Sequence, residues 1–228
     1  VVETLSVPAM EPLGRALLEH LETGTPVDVR VRRDDGQEYR LSTRDFFEVP
    51  GDLAHLAASA RSRVRGRVLD VGAGAGRSAL ELQADGLEVW ALDACPLCVE
   101  VMRRRGVERA IRADVFDFEE GPFDTIVLLM DTVGLAGSPD GLRRLLGHLR
   151  RRLAPGGRIV LDGSALEAAE SGAVQLQLRH RHWVGAVVPW LYLGPDDLVE
   201  QAAGVGLRAD IVETLPEAHH WLAVLEVA

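Results

Sequence analysis

The chain has 228 residues, 47% of them hydrophobic, and a formal net charge of −10; that length suits one α/β domain with an N-terminal elaboration. The acidic balance argues against a nucleic-acid partner, because phosphate-backbone binding depends on cationic side chains displacing counterions. No apolar run approaches the roughly 18 residues of a membrane span, and the first residues lack the basic flank and apolar stretch of a secretory signal, so a soluble cytoplasmic protein is expected.

Lysine and asparagine are both absent. Schiff-base chemistry, a P-loop lysine and an asparagine-dependent base-modifying loop are therefore excluded. The clusters Arg103-Arg104-Arg105 and Arg150-Arg151-Arg152 sit in helical stretches beside leucines and valines and read as solvated helix faces.

In chain order, Leu13, Leu17, Leu18 and Leu21 fall at helical spacing within Pro8 to Gly24. A hairpin follows, because Val27, Val29 and Val31 alternate with Asp28, Arg30 and Arg32 ahead of an Asp34-Asp35-Gly36 turn, and Tyr39 and Leu41 resume the alternation. Ser42 and Thr43 are placed to cap a helix through Phe46 and Phe47, and a further helical segment spans Gly51 to Arg63. From Arg67 the rhythm becomes strand, helix, strand, helix. Strands are predicted at 67–71, 88–93, 109–113, 125–130 and 158–162, and helices at 77–85, 96–105 and 140–153, a pattern that implies a parallel sheet covered on both faces. Toward the end, strands are expected at 174–183 and 187–193, a helix at 195–203, and an antiparallel pair at 207–215 and 221–227.

The segment Val68-Leu69-Asp70-Val71-Gly72-Ala73-Gly74-Ala75-Gly76-Arg77 reads as a buried strand, a glycine-rich turn and a helix start. Glycines there let a ligand approach the backbone and leave N–H groups pointing at it. Asp93 closes the next strand, where a carboxylate can accept hydrogen bonds from both hydroxyls of a ribose. A nucleoside-containing cofactor follows. Arg77 occupies the place of the third glycine in the dinucleotide fingerprint, which disfavours NAD and an NAD-dependent oxidoreductase.

Taken together with later segments, this stretch resembles the first motif of class I methyltransferases. Asp93 then matches their ribose-binding acid, Arg112-Ala113-Asp114-Val115-Phe116 their adenine turn, Phe123 to Asp131 their fourth strand, and Leu153-Ala154-Pro155-Gly156-Gly157-Arg158 to Leu161 the turn into their fifth. The resemblance implies a doubly wound, Rossmann-like seven-stranded sheet with an antiparallel final strand, and S-adenosylmethionine as cofactor. Residues 1–65 would form a helix and hairpin elaboration, serving as a lid or a homodimer contact through the polar-faced hairpin near Val29. Residues 66–228 would form the cofactor domain. By the same resemblance, Asp70 and the backbone of Gly72, Ala73 and Gly74 hold the methionine end, and Asp93 and Ala94 lie at the ribose. Asp114 accepts from the adenine amino group, Val115 and Phe116 flank the ring, and Met130 lies at the cofactor.

Asp131 ends the fourth strand at the mouth of the cleft, where it can touch the cofactor's ammonium, orient the acceptor, act as base, or merely cap a turn. Further base candidates are His180, His182, His219 and His220. His180 and His182 alternate with arginines in a strand pattern, so both are expected on one exposed face. Trp190 and Tyr192 alternate onto one face after the fifth strand, where the family often builds its acceptor pocket; they and Phe47 are the expected acceptor contacts, against a plain core role. Cys95-Pro96-Leu97-Cys98 has redox spacing but lies where the family places an ordinary helix cap, and no further cysteines complete a metal site, so neither disulfide nor metal chemistry is expected.

The function expected is methyl transfer to a small molecule at oxygen or nitrogen. A non-catalytic protein that binds the cofactor or its demethylated product is the alternative.

Overall fold

The computed structural model describes residues 5–166, 171–215 and 219–228. The N-terminal part comprises β1 (Leu5–Val7), α1 (Glu11–Thr23), β2 (Asp28–Arg33) and β3 (Glu38–Ser42). Helix α1 starts with Pro12 in its first turn and ends on Gly24, whose left-handed backbone (φ 68°) lets its N–H reach the His20 carbonyl. The predicted Ser42 cap is present, its Oγ accepting from the Arg44 N–H at 3.3 Å. It opens a 3₁₀ turn, Thr43–Phe46, rather than an α-helix. A second 3₁₀ turn at Gly51–Leu53 leads into α2 (Ala54–Arg61).

The main domain then unrolls as β4 (Arg67–Val71), α3 (Arg77–Ala84), β5 (Glu88–Asp93), α4 (Pro96–Arg105), β6 (Ala110–Arg112), β7 (Phe123–Leu128), α5 (Pro139–Arg150) and β8 (Leu153–Ser164). After an excursion through β9 (Gly172–His180), β10 (Trp183–Gly185) and β11 (Val188–Tyr192), it closes with α6 (Pro195–Ala203), β12 (Leu207–Leu215) and β13 (His220–Val227). The seven-stranded sheet has the order β12-β13-β8-β7-β4-β5-β6. Strands β8, β7, β4, β5 and β6 are parallel, and β13 runs antiparallel to both its neighbours. All of β4 beyond Arg67 is buried, as a central strand covered on both faces requires. Its alternate residues serve opposite cores: Leu69 packs with the leucines of α5 and α6, and Val68 with α2, α3 and α4.

The N-terminal strands share a sheet with strands from the later part of the chain. Strand β9 pairs antiparallel with β2, placing Val31 beside Leu178, and also pairs with β10 and β11; with β1 and β3 these make a second, six-stranded sheet. A two-stranded hairpin has too little apolar face to stand alone. Here Val29, Val31, Val174, Leu176 and Leu178 bury together against Ala16 of α1. Val29 and Val31 thus face inward, and the alternate polar residues Asp28, Arg30 and Arg32 of the hairpin face outward.

Two polar expectations also change. His180 is buried, with Nε2 2.9 Å from Glu19 Oε2 on α1, and Arg181 donates to the same carboxylate. His182 does not share its face, because β9 ends at His180, Arg181 turns at φ 52°, and the His182 ring lies against Trp183. Arg152 is buried too, donating to the Phe118 carbonyl at 2.7 Å, so its cluster is only partly a solvated face.

Trp221 joins the sheet to the second layer. It is fully buried on β13, its indole N–H donates to the Leu193 carbonyl at 2.7 Å, and its ring lies over Gly163 so closely that a Cβ there would collide with it. Trp221→Ala should lower the unfolding free energy by about 3–5 kcal/mol, read from the urea midpoint at unchanged m-value.

Candidate active site

Between β4 and α3 the backbone turns through Gly72, Gly74 and Gly76 at φ 67°, 56° and 76°, a left-handed run that side chains rarely adopt. The turn is tied to the neighbouring strand, since the N–H groups of Gly72 and Ala73 donate to the Leu92 carbonyl at 2.8 and 3.0 Å and that of Gly74 to Asp93 Oδ2 at 2.9 Å. A Cβ on Gly74 would sit 3.3 Å from the Phe46 ring, so bare backbone faces that ring. Arg77 clasps the same N-terminal segment, donating to the carbonyls of Asp45 at 2.6 Å and Glu48 at 3.2 Å. In sequence Arg77 served only to disfavour a dinucleotide; in the fold it fixes the covering segment to the glycine turn.

Phe46, not Phe47, lines the cavity. Phe47 points the other way, its ring 4.1 Å from that of His20 and under the Arg105 guanidinium. Phe46 is the last residue of the 3₁₀ turn and Phe47 its C-cap, and the two adjacent side chains leave on different faces.

Carboxylates line up at the C-terminal ends of the strands. Asp93 accepts from Gly74 N–H and, at 2.8 Å, from Cys95 N–H, yet enclosure outweighs those bonds and raises its carboxyl to about 6. Asp70 is 3% exposed, and its Oδ2 has no hydrogen-bond partner among the described residues. Burial raises its carboxyl to about 7 against the opposing charge of Arg77. Asp114 Oδ1 accepts from the Phe116 N–H at 2.8 Å, an Asx turn that sets Val115 and Phe116 on the cavity wall.

Beyond β7, Met130 and Asp131 both take positive φ, 62° and 58°. Non-glycine residues in that region cost of order 1–3 kcal/mol each and need support. Asp162 of β8 supplies it, accepting from the N–H groups of Met130 at 3.0 Å and Asp131 at 2.8 Å. This role was invisible in sequence. Burial, and then the charge of Asp131, push the Asp162 carboxyl upward. Asp131 is raised as well, first by enclosure, against the opposing influence of His220 and hydrogen bonds from Ser164. His220 Nε2 lies 3.7 Å from Asp131 Oδ2. Of the histidines considered in sequence, His220 alone lines the cavity.

The opposite wall comes from the second sheet. Trp190 and Tyr192 share a face of β11, and the Tyr192 hydroxyl is 3.3 Å from that of Tyr39 on β3. Enclosure, followed by the Tyr192 hydroxyl, holds the Tyr39 phenol above its ordinary range. Trp190 packs onto Gly134, where any Cβ would collide with the indole. Val31, Leu41, Leu176 and Leu178 complete this apolar wall.

One cavity of about 800 Å³ touches all of these groups, from the glycine turn and Asp114 to Trp190 and Tyr192. Asp70, Ala73, Asp93, Ala94 and Met130 also line it. An adenosine-containing cation fits the groups present: a glycine turn without side chains, a carboxylate beside it, a buried carboxylate with an oxygen unpartnered among the described residues, and an apolar slot at Val115 and Phe116. The volume leaves room for a second molecule against the tyrosines. Among the described residues no group of three or more His, Cys, Asp or Glu side chains could hold a metal ion.

A family profile described as a methyltransferase domain matches residues 44–209. The structure is similar over its whole length to a methyltransferase from Bacteroides fragilis solved with S-adenosyl-L-homocysteine, with TM-score 0.87, 30% identity and 100% of each chain covered. In sequence, it is 31% identical over 121 residues to a dTDP-4-amino-2,3,4,6-tetradeoxy-D-glucose N,N-dimethyltransferase of Saccharopolyspora spinosa, across 52% of this chain and 48% of that protein. It is 38% identical over 145 residues to a demethylmenaquinone methyltransferase of Clavibacter sepedonicus, across 60% of this chain and 58% of that protein. The chain spans about half the length of these named relatives.

The buried Asp70 makes stability depend on pH. Because its folded value of about 7 lies above the unfolded value, its favourable contribution is complete only below about pH 4 and is lost as pH rises through 7. Asp70→Asn removes that loss, so in the cofactor-free protein the variant's stability relative to wild type should rise by roughly 1–3 kcal/mol between pH 5 and pH 8, measured by urea unfolding. An unchanged difference would mean that Asp70 titrates as an ordinary carboxylate.

Proposed function

The chain belongs to the class I S-adenosylmethionine-dependent methyltransferases, and we propose that its acceptor is a small apolar molecule methylated at an amine nitrogen. The observation that carries this reading is the acceptor wall, where Asp131 and His220 meet Trp190, Tyr39 and Tyr192 in the cavity that also holds the glycine turn. An amine arrives at neutral pH as an ammonium ion. Aromatic faces and a carboxylate attract that ion, and apolar walls at Val31, Leu176 and Leu178 accept its hydrocarbon body. The nitrogen must then lose a proton before its lone pair can attack. A carboxylate with a raised pKa is the stronger base for that step, and His220 beside it provides an onward acceptor.

S-adenosylmethionine supplies an electrophilic methyl group on a sulfonium, so the protein has little covalent chemistry to perform. Asp93 would hold the ribose hydroxyls, Asp70 and the turn at Gly72, Ala73 and Gly74 the methionine end, and Asp114, Val115 and Phe116 the adenine. Ala94 and Met130 complete the surrounding wall. Phe46, clasped through Arg77, would cover the glycine turn and keep water out. The two relatives are named for an amino sugar nucleotide and for demethylmenaquinone, so acceptors vary widely within the family. The amine reading therefore leans on the site, with the dimethyltransferase as support.

Removing the ribose carboxylate deletes charge-assisted hydrogen bonds worth about 1.5–3 kcal/mol, so Asp93→Ala should weaken S-adenosylmethionine binding at least about tenfold in calorimetry. Unchanged affinity in a folded variant would remove that assignment. For Asp131→Ala, cofactor affinity should persist while methyl transfer falls about 10²–10⁴-fold, followed as S-adenosylhomocysteine formation with a panel of arylalkyl amines and their matched alcohols. Turnover of the alcohols but not the amines would overturn the nitrogen reading. Loss of cofactor binding would move Asp131 to the cofactor site.

A further inference from the structure

The motif Cys95-Pro96-Leu97-Cys98 remains outside the mechanism just described. Cys95 is the N-cap of α4, and Pro96 opens its first turn, which carries Cys98. Both cysteines are free, 7% and 2% exposed, and both line the cofactor cavity. The N-cap and the third residue of the helix lie one turn apart, which places both cysteines on the same side of the α4 N-terminus. Helix α1 backs the pair, with Met10 O 3.9 Å from Cys95 Sγ and Gly14 placed so that a Cβ would come within 2.7 Å of the same sulfur.

The expected helix cap is present, but a cap needs only backbone. A cap does not explain a second cysteine one helical turn on, facing the same cavity, nor the environment of the first. Cys98, followed by the N–H groups of Cys98 and Leu97, lowers the Cys95 thiol to about 7, whereas Cys98 itself is pushed up. One sulfur is thus prepared to attack and its neighbour to resolve. The Cys95 N–H also donates to Asp93 Oδ1 at 2.8 Å, which ties the thiol turn to the ribose corner.

We propose that Cys95 and Cys98 form a reactive dithiol on the cofactor cavity, oxidised by a low-molecular-weight disulfide to an intrachain disulfide that excludes the cofactor and is hindered by it. The link to the cofactor rests on Asp93 holding the ribose. In the first step the Cys95 thiolate attacks one sulfur of the disulfide RSSR, forming Cys95–S–S–R and expelling RS⁻. Cys98 then gives up its proton and attacks the Cys95 sulfur, forming the Cys95–Cys98 bond and expelling a second RS⁻. The protein loses two electrons and two protons, and RSSR becomes two RSH. Drawing the sulfurs to bonding distance shifts the first turn of α4 and with it the N–H that fixes Asp93. Cofactor in the cavity blocks the approach to Cys95, and at equilibrium cofactor binding and disulfide formation disfavour each other to the same degree.

The test uses the full chain, reduced and then exposed to oxidised glutathione with and without saturating S-adenosylhomocysteine. Mass spectrometry of the peptide carrying both cysteines reads the oxidation, and calorimetry reads ligand affinity of each form. An intrachain disulfide should form, at least tenfold more slowly with ligand present, and the oxidised chain should bind S-adenosylhomocysteine at least tenfold more weakly until dithiothreitol restores it. Cys98→Ser should stop at a glutathione adduct on Cys95, and Cys95→Ser should take none. The proposal is overturned if the native chain stays unreacted while the urea-unfolded chain oxidises, or if ligand changes neither rate nor affinity. Failure of the reduced chain to bind S-adenosylhomocysteine would overturn the cofactor assignments and the linkage together; normal binding with inert thiols would overturn the dithiol alone.

Discussion

Carboxylates crowded along one edge of a parallel sheet set the terms for everything around them. Asp93, Asp70, Asp131 and Asp162 stand at or just beyond the ends of β5, β4, β7 and β8, adjacent in the sheet. Burial opposes their ionisation, and each is restrained differently: Asp93 and Asp162 by backbone N–H groups, Asp131 by Ser164 and His220, Asp70 by the charge of Arg77. Arg61, Arg77 and Arg112 also line the cavity, yet four acids clustered on one edge favour a cationic ligand, and a cofactor carrying a sulfonium and an ammonium is one.

That edge also explains the backbone around it. The left-handed Met130 and Asp131 are tolerable because Asp162 receives both of their N–H groups, and the glycine turn is tolerable because Leu92 and Asp93 receive those of Gly72, Ala73 and Gly74. In both places a strained loop is held by a group from the neighbouring strand. The second sheet faces this edge and supplies almost no charge to the cavity, only phenols, an indole and aliphatic chains.

Whatever depends on neighbours in sequence was legible before the fold was known. The strands 67–71 and 88–93, the helices 96–105 and 195–203, and the run from Asp70 to Arg77 obey local periodicity, glycine placement and capping, and they fall where expected. What failed depends on distant partners. His180 reads as an exposed strand residue until α1 brings Glu19 to it, and no local signal announces that β9 pairs with β2. Phe46 and Phe47 differ by one position in a turn whose 3₁₀ pitch no periodicity announced. Asp162 is an ordinary strand-end aspartate in sequence, and only the register of β8 against β7 shows which N–H groups it reaches.

The cavity wall on the side of the second sheet closes through one of the long-range pairings in the molecule: Tyr39 and Tyr192 meet although 153 positions separate them in the chain. A contact across so large a loop rests on the parallel sheet between its ends, whereas the glycine turn and Asp93 are joined by bonds between neighbouring strands. Local opening at the two tyrosines would therefore widen the far wall of the cavity while the glycine turn keeps its shape.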